Sequence, residues 1–144
     1  MHTIYMSLGL AIILGAIIGI ERFVAHKTAG IRTYATVSMG SALFVIISQS
    51  VAHMTAGNFD PLRMAAQIVS AAGFLGAGVI LHRDNQTLGM TTASGLWASA
   101  GIGMACGFGL YKLAAFATIA ILFIFVVLWF IESWIEKIEK RKSM

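Results

Sequence analysis

Charge is what this chain has least of. Of its 144 residues, 11% are Asp, Glu, Lys or Arg, where a soluble domain carries about 25%. Only six are acidic: Glu21, Asp60, Asp84, Glu132, Glu136 and Glu139. All six fall at the ends of apolar segments, in connections or in the C-terminal stretch. With no carboxylate in the middle of a hydrophobic run, a single chain offers no oxygen cage for a dehydrated Mg²⁺. Cysteine occurs once, at Cys106, so no internal disulfide can form and no Cys/His zinc spacing exists. No basic residue stands beside Cys106 in sequence to activate its thiol, which leaves it a small packing residue. A nucleophile–base pair, a phosphate-binding loop and a metal motif are all missing. The expectation is a protein that is not an enzyme and holds no cofactor or metal.

What the chain has instead is hydrocarbon. Hydrophobic residues make up 58% of it and the mean hydropathy is +0.85, the composition of an integral membrane protein. Five apolar segments stand out: Ile4 to Ile20, Tyr34 to about His53, Leu62 to Leu81, Thr91 to Gly109, and Leu113 to Ile131. The fourth is the least hydrophobic, being mostly Gly, Ala, Ser and Thr; the fifth could face lipid all round. The fold class expected is therefore all-α: a polytopic membrane protein of five transmembrane helices, with short connections that make neighbours antiparallel. Residues 1–133 form the transmembrane domain and residues 134–144 a basic cytoplasmic tail. The first segment has no Lys or Arg before it and no cleavage-type site after it, so it reads as a retained span rather than a leader.

The net charge of +4 and pI of 9.6 point to anionic lipid headgroups rather than nucleic acid, because the basic residues cluster beside apolar segments. Five spans place the first and third connections on the same side as the tail. That side holds all ten basic residues except Arg63 and Lys112, so the N-terminus is expected outside and the C-terminus in the cytoplasm.

Polar residues within or beside the spans are the candidate functional groups. Glu21-Arg22 closes the first span and Arg32-Thr33 opens the second. Glu21 is expected to pair with Arg32 across the loop, with Thr33 capping the second helix. Asp60-Pro61 is a strong helix start, and Arg63, Gln67 and Ser70 follow on one face of that helix. Gly73, Gly76 and Gly78 thin its far end, soft enough that one of the two glycine-rich spans could be broken or re-entrant. In the fourth segment Gly95, Ser99, Gly103 and Gly107 recur every four residues, and Gly15 and Gly19 extend a similar stripe in the first. Such stripes are made for close helix packing, against another helix or another subunit. Thr91-Thr92 after Gly89 is read as an N-cap, and Trp97 as a packing anchor.

Five blocks together carry a family resemblance: Gly15 to Arg22, Ala29 to Thr33, Asp60 to Ser70, Gly73 to Gly78, and Gly89 to Ala93. In this order they resemble the MgtC/SapB family over about residues 9 to 111. The resemblance implies a bacterial inner-membrane protein tied to adaptation to magnesium limitation, with a branch linked to virulence and to restraint of the F-type ATP synthase. Two positions depart from the family pattern: Phe23 follows Arg22 where a further charge is common, and Tyr34 stands where His is common. A soluble C-terminal domain, carried by larger members, is not expected here.

Two functions follow as expectations. In the first, a small regulatory protein acts through helix contacts with itself, as a homo-oligomer with a dimer favoured, or with a membrane partner such as ATP synthase. Its Gly/Ser stripes would dock the second copy. In the second, an oligomeric transporter or channel carries Mg²⁺ or another cation past Gln67, Ser70 and Thr92, with Asp60 and Asp84 at its mouths.

Overall fold

The computed structural model describes residues 2–54, 60–83 and 86–142. Helix α1 (His2–Val24) and helix α2 (Ile31–Met54) form an antiparallel pair. Helix α3 (Pro61–Ala77) starts as the sequence predicts, with the Asp60 carboxylate accepting from the Leu62 N–H at 2.9 Å and Pro61 in the first turn. A small antiparallel hairpin follows, β1 (Leu81–Arg83) and β2 (Gln86–Leu88), with Leu81 opposite Leu88. Helix α4 (Met90–Gly107) comes next. Helix α5 (Tyr111–Phe123), a π-helical turn (Ile124–Leu128) and helix α6 (Trp129–Lys142) then run on as one continuous rod.

Counting that rod once, five helices are present among the described residues, as expected, but the fold is not purely helical: the connection between α3 and α4 is a β-hairpin. Asp84 lies outside the described residues. Among the described residues three helices are long and apolar enough to cross a membrane: Thr3–Val24, Ile31–Ala52 and Tyr111–Glu139. Helix α3 is shorter, its 17 residues spanning about 25 Å at 1.5 Å per residue, against about 30 Å of hydrocarbon. Both glycine-rich helices run unbroken. The departure from regular α geometry falls instead in the fifth rod, at the π turn.

The least hydrophobic segment is the most enclosed. Helix α4 packs on α1, α2, α3 and α5, and Thr92, Gly95, Leu96, Ser99, Gly103, Cys106 and Gly107 are all buried along it. Small side chains explain this position, because the central rod must let its neighbours approach closely. A Cβ on Gly103 would sit 2.7 Å from the Ser38 carbonyl carbon, and one on Gly107 would sit 2.8 Å from the Ala42 carbonyl oxygen. From α1, a Cβ on Gly15 would meet the Tyr34 carbonyl oxygen at 2.7 Å and Ser38 Cβ at 2.8 Å, and one on Gly19 the Ile31 N at 2.9 Å. Both stripes are thus used inside the chain, each against the α2 backbone. They are not free to dock a second copy, which corrects the expectation above.

Other contacts were misjudged from sequence. The N-cap of α4 is Gly89, at φ +89°, where only glycine is comfortable; Thr91 and Thr92 lie in the first turn. Trp97 is half-exposed rather than an anchor. Gly73 has open space where a side chain would go and Gly78 approaches only its own helix, so of the glycines ending α3 only Gly76 meets another helix, at Ala93. Cys106 is fully buried and unpaired, the packing role expected of it.

Candidate functional site

Where α1 ends, a charged residue is enclosed. Arg22 is 3% exposed, although it follows an apolar run of α1. Two devices hold it there. Its Nε and Nη2 donate to the two carboxylate oxygens of Glu21, the Nη2 bond at 2.6 Å, a bidentate geometry that matches the guanidinium fork. The plane of the guanidinium also lies over the Phe125 ring, 3.8 Å from its centroid, a cation–π contact. Phe125 is the buried residue of the π turn. Such one-turn bulges recur at functional sites because the extra residue re-aims the side chains around it.

Beneath this pair lies a polar seam between α2 and α4. The buried Tyr34 hydroxyl donates to the Thr92 carbonyl at 3.1 Å, and the Ser99 hydroxyl donates to the Tyr34 carbonyl at 3.0 Å. Gly95 makes the seam fit: a Cβ there would be 2.5 Å from the Tyr34 hydroxyl and 2.7 Å from Phe125 Cζ. Ser38, fully buried between Gly15 and Gly103, has no hydrogen-bond partner for its Oγ among the described residues. Tyr34→Phe is expected to lower stability by about 1 kcal/mol, the worth of one hydrogen bond, in thermal unfolding in detergent. Little or no change would mean that the hydroxyl contributes nothing to the seam.

Beside Arg22 the end of α1 and the π turn enclose a cleft of about 480 Å³. Glu21, Arg22 and Lys27 form its polar side and Phe125, Trp129 and Phe130 its apolar wall. Trp129 and Phe130 meet edge to face, 5.0 Å between centroids.

Of the candidates read from sequence, the structure brings together Glu21, Arg22, Thr92, Gly95 and Ser99. It separates the other polar candidates. Glu21 takes Arg22 rather than Arg32 as its ion-pair partner, and Arg32 and Thr33 are exposed on the first turn of α2. Thr33 does not cap α2: that helix begins at Ile31, and the Gly30 carbonyl already accepts from the Tyr34 N–H. Thr91 is exposed. Asp60, Arg63, Gln67 and Ser70 all face outward on α3, and Ser70 donates only back to the Ala66 carbonyl, at 3.3 Å. Thr92 is buried away from them, so it does not share a polar face with Gln67 and Ser70. Among the described residues no group of three or more His, Cys, Asp or Glu is placed to hold a metal. Sequence reading missed Phe125, Lys27 and the π turn; one Phe in a uniformly apolar run carries no local mark of its partner.

A family model described as the MgtC family matches residues 8–134. The chain belongs to that family. Relatives named Protein MgtC are similar to it: that of Salmonella typhimurium (strain LT2) is 48% identical over 122 residues, covering 85% of this chain and 51% of the relative. That of Brucella abortus (strain 2308) is 46% identical over 121 residues, covering 84% and 49%. A protein of Haemophilus influenzae is 39% identical over 145 residues, covering 96% of this chain and 61% of the relative. This MgtC-family chain therefore spans about half to three fifths of the length of these relatives. No solved structure matches it. The matched region contains the whole cluster of Glu21, Arg22, Tyr34, Thr92, Ser99 and Phe125. Family membership and three long apolar helices make it a membrane protein.

Proposed function

We propose that this MgtC-family chain is a non-enzymatic, regulatory protein of the bacterial inner membrane that works by helix contact, with α3 as the contact surface. The outward face of α3 carries the reading. Arg63, Gln67 and Ser70 lie along it, and Gly73 continues it with open space beyond. No hydrogen bond from Gln67 to another helix occurs among the described residues. A side-chain amide facing hydrocarbon is unfavourable, and a second helix that supplies a partner contributes about 0.6–2 kcal/mol per bond. The glycine stripes are consumed internally, so this stripe of Gln, Ser and Gly is what remains for an outside helix.

The occupant of that face is a second copy of the chain, a dimer, or a membrane complex. The family resemblance suggests the F-type ATP synthase for the latter and magnesium limitation as the setting. The basic residues of the first connection, the hairpin and the C-terminal end support an orientation with those parts in the cytoplasm and the N-terminus outside. Oxidation of Ser70→Cys is expected to give a covalent dimer, and a photo-crosslinker at Gln67 is expected to capture any other membrane partner. Phe116→Cys, also exposed but on the fifth rod, is the control, and buried Cys106 stays silent. Crosslinking no greater from α3 than from Phe116 defeats the reading. Cation flux in proteoliposomes that Gln67→Leu abolishes would transfer it to an oligomeric route for Mg²⁺ or another cation along the same face.

A further inference from the structure

We propose that the cleft beside Arg22 binds the phosphate headgroup of an anionic phospholipid, whose acyl chains lie along the aromatic wall. Arg22 is buried, yet its fork is only partly used. Nε and Nη2 are taken by Glu21, while Nη1 makes no hydrogen bond among the described residues. Arg22 nevertheless lines the cleft, so its remaining N–H donors have that space as their outlet. Among the described residues Ser38 Oγ is the buried side-chain polar atom left without a partner, so Nη1 is accessible, and an anionic acceptor in the cleft would complete the fork.

The surroundings define which acceptor fits. Glu21 is present but committed to Arg22, and Lys27 stands exposed at the rim. With one acidic and two basic side chains, the polar side carries a net charge of +1, which favours an anion. Opposite it, Phe125, Trp129 and Phe130 make an apolar wall of interfacial type. A soluble phosphate would use the donors and leave that wall unoccupied. A phosphate tethered to acyl chains uses both. The position agrees: the cleft lies where α1 ends, beside a connection carrying Lys27 and Arg32, and basic groups at that level attract anionic lipid.

Quenching of Trp129 fluorescence by brominated lipid tests this. The full chain carries three tryptophans, so Trp97→Phe with Trp134→Phe leaves Trp129 alone. Trp97→Phe with Trp129→Phe leaves Trp134, exposed and outside the cleft lining, as the control. Each is reconstituted in phosphatidylcholine vesicles titrated with brominated phosphatidylglycerol or brominated phosphatidylcholine. Trp129 is expected to be half-quenched at a roughly fivefold lower fraction of phosphatidylglycerol, the factor expected for one extra basic contact. Trp134 should show no such preference. Lys27→Gln, at an exposed position where folding is not at stake, should reduce the preference of Trp129, and Val126→Phe should abolish it by filling the cleft. Equal quenching of Trp129 by both lipids overturns the proposal, as does the same preference at Trp134, which would mark general attraction to a basic surface. Displacement by millimolar inorganic phosphate would assign the site to a soluble anion. Protection from quenching that grows with the protein-to-lipid ratio would assign it to a second copy. Either result refutes the lipid site.

Discussion

Gly103→Val is expected to yield little folded protein. A Cβ at this position would lie 2.7 Å from the Ser38 carbonyl carbon and 2.9 Å from Ser38 Cα. Those are backbone atoms of α2, which no rotamer change can move aside. Relief requires the two central helices to separate along the crossing they share, and that crossing also carries Gly107 against Ala42 and Ser99 bonded to Tyr34. Overpacking a tight core costs about 1–3 kcal/mol and occasionally more; a rigid backbone contact at the centre of the bundle belongs at or beyond the upper end. Denaturant titration of the protein in detergent measures it, with yield from the membrane fraction as a second readout. Gly73→Ala is the matched comparison. It meets open space on the outer face of α3, and alanine favours the helix by roughly 0.5–1 kcal/mol over glycine. If both variants were tolerated equally, the central crossing would not be the close contact described.

Glu21→Gln has the second large expected effect, a loss of about 3–5 kcal/mol, the usual cost of stranding one member of a buried ion pair. The substitution keeps the shape of the side chain, removes its charge and turns one of the two acceptor oxygens into a donor. Arg22 then stays enclosed at 3% exposure, with one neutral hydrogen bond to the amide oxygen and the Phe125 ring as its remaining favourable contacts. Adding Arg22→Met removes the stranded cation and leaves a flexible apolar chain to pack on the same ring. The double variant is expected to recover most of the stability, because a buried ion pair and a hydrophobic replacement of similar volume are often near parity. A single-variant loss under about 1 kcal/mol would instead describe a solvated surface pair. These measurements concern stability alone and do not depend on what the α3 face binds.

Several features are local and could be read directly. Hydrophobic run length identifies the helices, and Asp60-Pro61 marks the start of α3 through one side-chain bond and a fixed φ. The four-residue recurrence of Gly95, Ser99, Gly103 and Gly107 identifies a surface made for close approach. Other features are decided by which segment meets which. Glu21 chose the adjacent Arg22 over Arg32, because the end of α1 and the Phe125 ring together enclose that arginine. Thr92 and Gln67 both looked like polar groups of one route, yet the packing of α4 at the centre buries one and leaves the other outside.

Length of apolar run, helix starts and the spacing of small residues depend on the nearest few amino acids, so the order of residues was enough to place five helices in a membrane protein. The partner of each face was not contained in that order. It follows from α4 taking the central position, where close approach to α2 uses up the glycine stripes, and from the π turn in the fifth rod setting Phe125 beneath Arg22. Both are long-range choices, made by competition among all five helices for the same contacts, and they turned the glycines into an internal seam while leaving the polar side of α3 and the Arg22 cleft facing outward.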